Sequence, residues 1–244
     1  CELSKKEKND KVFFVTFAAV IMLPTVILNS AYWGQCDSIY TTFIILTLLY
    51  LYREKYHRAF MFLGIAFAFK MQTIFIFPFI ICFYIYKKQF SIFELLITVF
   101  TFWISGIGAF VQGRSLLDPF RIYANQTGTY QYMHVNFPSF WMFVGNDYEW
   151  LKTAAIVMAA GICGMGLYII MKRKLDCSRP ENFVNIASWF IWTCVLFLPA
   201  MHERYAYPLE ILLVILTCIN KDYLKYSSVA ILFSLFTYGN YLFS

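Results

Sequence analysis

The chain has 244 residues, of which 60% are hydrophobic, 21% aromatic and only 14% charged. Soluble domains carry about 25% charged residues, so a soluble fold of this size would lack the charge to cover its surface, and the chain is far too apolar for disorder. The predicted class is all-α: a polytopic integral membrane helical bundle. The formal charge of +6 suggests nucleic acid at first sight, but the basic residues sit in short loops between apolar runs, which argues against that partner. Seven cysteines are scattered without a CxxC pair, mostly inside apolar runs, and suggest neither a disulfide framework nor a metal site.

The chain opens on Cys1 and runs through Ser4-Lys5-Lys6-Glu7-Lys8-Asn9-Asp10-Lys11, a charged stretch of the kind that links membrane segments, with no signal-peptide pattern. It reads as the C-terminal part of a longer protein, with 1–244 forming one transmembrane domain. A crossing needs roughly 20 apolar residues. Residues 12–30, 92–112, 151–171 and 182–199 meet that length, and 39–52, 206–219 and 229–243 are shorter candidates. The stretch 59–86 is too long for one crossing and is interrupted by Lys70 and Gln72, so it reads as two short helices, 59–69 and 73–86, meeting at a polar break. Broken helices at membrane depth persist where their backbone lines a cavity or is buried in protein.

Alternating through these segments puts the basic N-terminal stretch, 53–58, 87–88, 172–179 and 221–225 on one side, which the positive-inside rule makes cytoplasmic. The other face receives the polar positions: Trp33-Gly34-Gln35-Cys36-Asp37, the break at Lys70 to Gln72, the long external loop 113–150, and Met201-His202-Glu203-Arg204-Tyr205. Asp37 stands where one apolar run ends and the next begins, so it suits an N-cap. Trp33, Gln35 and Asp37 also place an aromatic face, an amide and a carboxylate together, a grouping suited to a sugar. A lysine at mid-helix costs about 2.5–3.5 kcal/mol on insertion scales, so Lys70 is expected to face a cavity, attracting a phosphate or neutralising a carboxylate. Against a plain solvated loop, the short connection around His202-Glu203-Arg204 favours a phosphate site. The Arg204 fork binds, Glu203 orients it and His202 donates or acts near neutral pH. Loop 113–150 is rich in aromatic and amide side chains, among them Tyr123, Tyr130, Asn136 and Trp141, and Asn125-Gln126-Thr127 forms a glycosylation sequon.

These segments carry a resemblance. Trp33-Gly34-Gln35-Cys36-Asp37-Ser38-Ile39-Tyr40 is similar to the WGQxDxxY motif of multi-spanning mannosyltransferase-like proteins, a family related to the enzyme adding the second mannose of GPI anchors. Lys70-Met71-Gln72 through Pro78 resembles their KxQxxxxxP stretch, Asn136-Phe137-Pro138-Ser139-Phe140-Trp141 ending in Val144-Gly145 their NxPxxW…G loop, and Leu198 to Tyr205 their LPxMHERY element. The resemblance implies a GT-C-like fold and a hexosyltransferase using a polyprenyl-phosphate-linked sugar, at the non-cytoplasmic face of a plasma membrane in a bacterium or of the endoplasmic reticulum in a eukaryote. The expected partners are a lipid-linked sugar donor, a glycan or glycolipid acceptor and membrane lipids; no cofactor is expected, with a divalent metal as the alternative left open.

Lys70, Arg204 and His202 are the expected donor-phosphate ligands. Trp33, Gln35, Asp37, Gln72, Asn136, Trp141, Glu203 and Tyr205 are the expected substrate contacts. Such enzymes keep their catalytic carboxylate in the first external loop, which would precede residue 1. No base is assigned, Asp37 is the fallback, and this chain alone is expected to be inactive. The alternative is a transporter or flippase of a lipid-linked saccharide, to which a broken helix with a buried lysine is also suited.

Overall fold

A computed structural model describes residues 10–126 and 128–243, so the charged stretch 1–9 and Thr127 of the sequon lie outside the described residues. Among these the chain is all-helical, with no strand and one isolated bridge, His134 to Met201. The α-helices are α1 (Asp10–Ile21), α2 (Pro24–Val26), α3 (Asp37–Tyr52), α4 (Tyr56–Phe69), α5 (Phe77–Lys87), α6 (Leu95–Ile104), α7 (Ile107–Val111), α8 (Asp118–Gln126), α9 (Tyr148–Arg173), α10 (Pro180–Phe197), α11 (Tyr207–Ile219) and α12 (Leu224–Phe243).

Every apolar run expected to be helical is helical, but two are interrupted. Residues 12–30 are not one straight helix: α1 and the segment Pro24–Tyr32 meet at 47°. Pro24 lacks an amide to continue the ladder, and Leu23 before it adopts an extended backbone, as residues preceding proline do. A π-helical turn follows over Ile27–Tyr32. The run 92–112 breaks at Ser105-Gly106, where the Ser105 hydroxyl donates to the Thr101 carbonyl at 2.7 Å, a bond that bends helices. The break in 59–86 falls at Lys70, which is extended, and a 3₁₀ segment, Met71–Ile76, leads into α5.

Among the described residues one helix, α9, is long and apolar enough to cross a membrane on its own, and the bent pair at 12–32 makes two if it counts as one span. Five further apolar segments have 10–17 residues, while α10 and α12, with 18 and 20 residues, are long enough but too polar to pass as spans. The core lies between α3, α4, α5, α10 and α11 and centres on Tyr40, Phe60, Leu63, Phe79, Phe183 and Phe190, each buried. Gly64 lets α4 approach α6, because a Cβ there would lie 2.6 Å from the Thr98 carbonyl oxygen. Large apolar side chains remain on the outside: Phe13, Phe14 and Phe17 on α1, Leu96 and Phe100 on α6, Ile156, Val157 and Met165 on α9, Leu232 and Phe236 on α12.

Candidate functional site

The site begins at the π-helical turn. Its last residues lead through Trp33 to Gly34, whose φ of +70° glycine adopts without the Cβ penalty. The chain thereby reverses, and the Gln35 amide donates to the Asn29 carbonyl at 3.0 Å. Asp37 then opens α3, fully buried. It is not the N-cap: Cys36 holds that position, and no side chain caps the helix. The Asp37 carboxylate instead accepts from the Asn29 side chain at 2.8 Å through one oxygen and pairs with the Lys70 ammonium through the other. The positive end of α3 adds to its stabilisation. Asn29 also donates to the Tyr238 hydroxyl at 3.0 Å, tying this cluster to α12.

Lys70 is placed by the break between α4 and the 3₁₀ segment. Its ammonium also lies 5.5 Å from the centre of the Tyr40 ring. An ammonium has three donors and Asp37 occupies one of them.

The third contributor is the turn between α10 and α11. Ala200, at φ +59°, bends the chain after Pro199, and backbone bonds stitch the turn to the long loop: Ala200 donates to Tyr132 at 3.0 Å, and Val135 donates to Met201 at 3.0 Å. Glu203 is fully buried and accepts from an Arg204 terminal nitrogen at 2.8 Å. The Arg204 guanidinium lies over the Trp33 ring at 4.9 Å, joining the first and last polar segments of the site, and its buried Nε has no hydrogen-bond partner among the described residues. Burial alone would raise the Glu203 carboxyl. His202, the local backbone and the Arg204 charge together hold it below the ordinary value. His202 is buried, edge-on to Tyr130 at 4.5 Å, with Nδ1 3.7 Å from Glu203. Burial pushes the Tyr205 hydroxyl up to about 12 against the lowering effects of Arg204 and Gln72.

These elements enclose a cavity of about 570 Å³, walled by Gln35, Lys70, Gln72, Tyr130, Arg204 and Tyr205 among others. Asp37 stands behind Lys70, while Glu203 and Trp33 hold Arg204. Asn136 and Trp141 lie elsewhere. Asn136 is exposed at φ +57°, and Trp141 is buried against Met133 and Ala155, donating to the Phe197 carbonyl at 2.7 Å. Tyr123 and Gln126, on α8, also line the cavity, and the Tyr123 hydroxyl donates to the Phe67 carbonyl. Chemically the cavity offers two ion pairs whose charges cancel, together with unspent donors on Lys70 and Arg204, amides and phenols. Such a wall suits a ligand with hydroxyls and an anionic oxygen.

The sequence reading missed three buried groups behind this wall: Asn29, Tyr238 and Glu210. Glu210, on α11, accepts from the Ser234 hydroxyl of α12. Its signal was present, since a carboxylate inside an apolar run meets the same cost as Lys70. No protein-family model matches the chain, and no curated protein or solved structure does.

Proposed function

We propose that the chain is an integral membrane glycosyltransferase that spans the bilayer several times. It moves a mannose-like sugar from a polyprenyl-phosphate donor to a glycan or lipid-linked acceptor on the non-cytoplasmic face. The observation that carries this reading is convergence. Gln35 and Cys36, Lys70 to Gln72, and Met201, Arg204 and Tyr205, drawn from three of the resembling motifs, line one cavity, with Asp37 and Trp33 behind its cations. Membrane residence is supported by the composition, by α9 and by the apolar side chains facing outward.

In the reaction the acceptor oxygen attacks the anomeric carbon, the bond to the phosphate oxygen breaks, and its electron pair leaves on the phosphate. Negative charge builds there in the transition state, so preorganised donors aimed at it lower the barrier. Arg204 takes that role with the terminal guanidinium hydrogens that Glu203 does not occupy, and Lys70 assists. Glu203 and Trp33 fix the guanidinium, and His202 supports Glu203. Gln35, Gln72 and Tyr205 meet sugar hydroxyls. The hydroxyl proton passes to a carboxylate base, which neither Lys70 nor Arg204 can replace while charged. Asp37 is engaged in holding Lys70.

The test reconstitutes the chain in vesicles with radiolabelled polyprenyl-phosphate sugars and measures donor retention first, then transfer. Arg204→Ala is expected to abolish retention and Arg204→Lys to weaken it, because the planar fork is lost. Equal retention by wild type and a folded Arg204→Ala variant refutes the phosphate role. The second reading, a transporter or flippase of a lipid-linked saccharide, draws on two of the three helix interruptions, at Leu23 and at Lys70. Movement of the labelled lipid across the vesicle wall with its sugar bond intact selects that reading instead.

A further inference from the structure

A second pocket, of about 520 Å³, lies where the turns after α3, α5 and α9 come together. Its floor is apolar and buried: Leu51, Phe83, Cys177 and Phe183. Its rim carries Arg53, Lys55, Lys87 and Ser178, with Glu54 as the one acidic lining residue. Tight turns hold the rim in place, for Glu54, Lys88 and Lys174 all adopt positive φ, at 57°, 51° and 48°. Asp176 adds a second acidic group beside Lys87. Its carboxyl is already committed, accepting from the Ser178 amide at 2.9 Å and pairing with Arg179, and is held below its ordinary value chiefly by that backbone bond. The Tyr52 and Tyr86 hydroxyls are likewise spent, on the Ser178 and Leu175 carbonyls. Among the described residues neither the Lys55 nor the Lys87 ammonium has an ion-pair partner; Lys87 lies 5.7 Å from the Tyr86 ring and feels the charge of Asp176.

Cations at the ends of α3 and α5 are favoured by the helix dipoles alone, and basic loops flank apolar helices generally. Neither reason makes a concave pocket with an apolar floor. Basic pockets between helices on the cytoplasmic side bind anionic lipid head groups, and this pocket has the two surfaces such a ligand presents: charge at the rim and apolar side chains beneath. A free phosphate would have no use for the floor. We infer that this pocket is a binding site for the phosphodiester head group of an anionic phospholipid, with Lys55 and Lys87 as its principal cations. The site stands apart from the polar cavity, at the ends of helices whose other ends reach that cavity. It rests on the membrane-spanning part of the reading above and is independent of sugar transfer.

The test purifies the full chain in detergent micelles and counts retained lipid by native mass spectrometry, offering phosphatidylglycerol and phosphatidylcholine of equal chain length. Phosphatidylglycerol is expected to be retained in preference. Lys55→Gln with Lys87→Gln should weaken it about thirtyfold, the effect of two lysines at a charged surface. Lys87→Arg should keep it, and Lys221→Gln with Lys225→Gln, which removes two basic charges outside the pocket, should leave it unchanged. Circular dichroism and gel filtration confirm that each variant is folded. Equal retention of the two lipids overturns the inference, as does an unchanged Lys55/Lys87 double variant or an equal loss in the Lys221/Lys225 control. Full competition by millimolar inorganic phosphate assigns the pocket to a soluble anion and also overturns it. Flotation with zwitterionic vesicles reads membrane residence separately, and donor retention reads the transferase reading separately.

Discussion

The pair between Asp37 and Lys70 makes a demanding prediction, because both partners are out of water: their side chains are 0% and 13% exposed. Removing one partner of a buried ion pair leaves an uncompensated charge and costs about 3–5 kcal/mol. Asp37→Leu strands the Lys70 ammonium and Lys70→Met strands the Asp37 carboxylate, so each single substitution should cost about that much. Removing both charges strands neither. What remains is the Asn29 amide hydrogen that lost its carboxylate acceptor, worth about 1–3 kcal/mol as an unsatisfied buried donor. The double variant should therefore be less damaged than either single one, with a coupling of at least about 3 kcal/mol.

Unfolding in mixed micelles, followed by near-ultraviolet circular dichroism, measures all four species of the cycle. By thermal melting, each single substitution should lower Tm by about 6–20 °C, at about 2–4 °C per kcal/mol for a chain of this size. Single losses below about 1 kcal/mol that add in the double variant would falsify the ion pair. Such additivity would leave Lys70 as a cation reaching solvent on its own, with Asp37 unneeded.

Three further outcomes follow from particular contacts. Gly64→Ala should cost about 1–3 kcal/mol by overpacking, because its new methyl would meet the Thr98 carbonyl, a backbone atom that cannot rotate away; a neutral result in the same melts refutes the α4–α6 approach. Glu203 has its carboxyl lowered in the folded chain. Its contribution is therefore complete above the ordinary value of 4.5 and is lost as pH falls through the lower folded value, so Glu203→Gln should flatten the acid limb of the stability profile. An acid limb unchanged in that variant sinks the assignment. In a cysteine-free background, an impermeant thiol reagent applied to intact cells should label Gln131→Cys and spare Lys174→Cys, and the reverse pattern would invert the orientation.

Much of the fold was legible because its signals are local. An apolar run bounded by charge needs no partner to be read as a helix, and the break at Lys70 follows from a lysine and a glutamine in the middle of such a run. The bend near Pro24 carried a local signal as well, a proline inside 12–30, which the length of the run overrode. Asp37 shows the opposite case. Its position at a helix start is local and pointed to a cap, yet its oxygens are taken by Asn29, eight residues before it, and by Lys70, 33 residues after it. Competition between a backbone amide and an ammonium for one carboxylate is decided by the tertiary structure. Asn29 was invisible for the same reason, since its second partner, Tyr238, lies 209 residues away.

The location of the break also explains why the polar wall takes the form it does. A continuous helix through 59–86 would pair every backbone group internally and direct Lys70 to one fixed face. The extended backbone at Lys70 frees its ammonium to reach the first turn of α3, where a buried carboxylate already gains from the helix dipole. Arg204 is handled differently: its partner Glu203 is its chain neighbour, and Trp33 supports the guanidinium from the other side. The two cations are thus neutralised by separate devices, one made by folding and one largely built into the sequence. Because the wall carries no net charge from these pairs, an anionic ligand gains little long-range attraction and depends on the directed donors that remain. Recognition of that kind is sensitive to geometry more than to charge, which is why an arginine held over an indole ring is the side chain on which the transferase reading stands or falls.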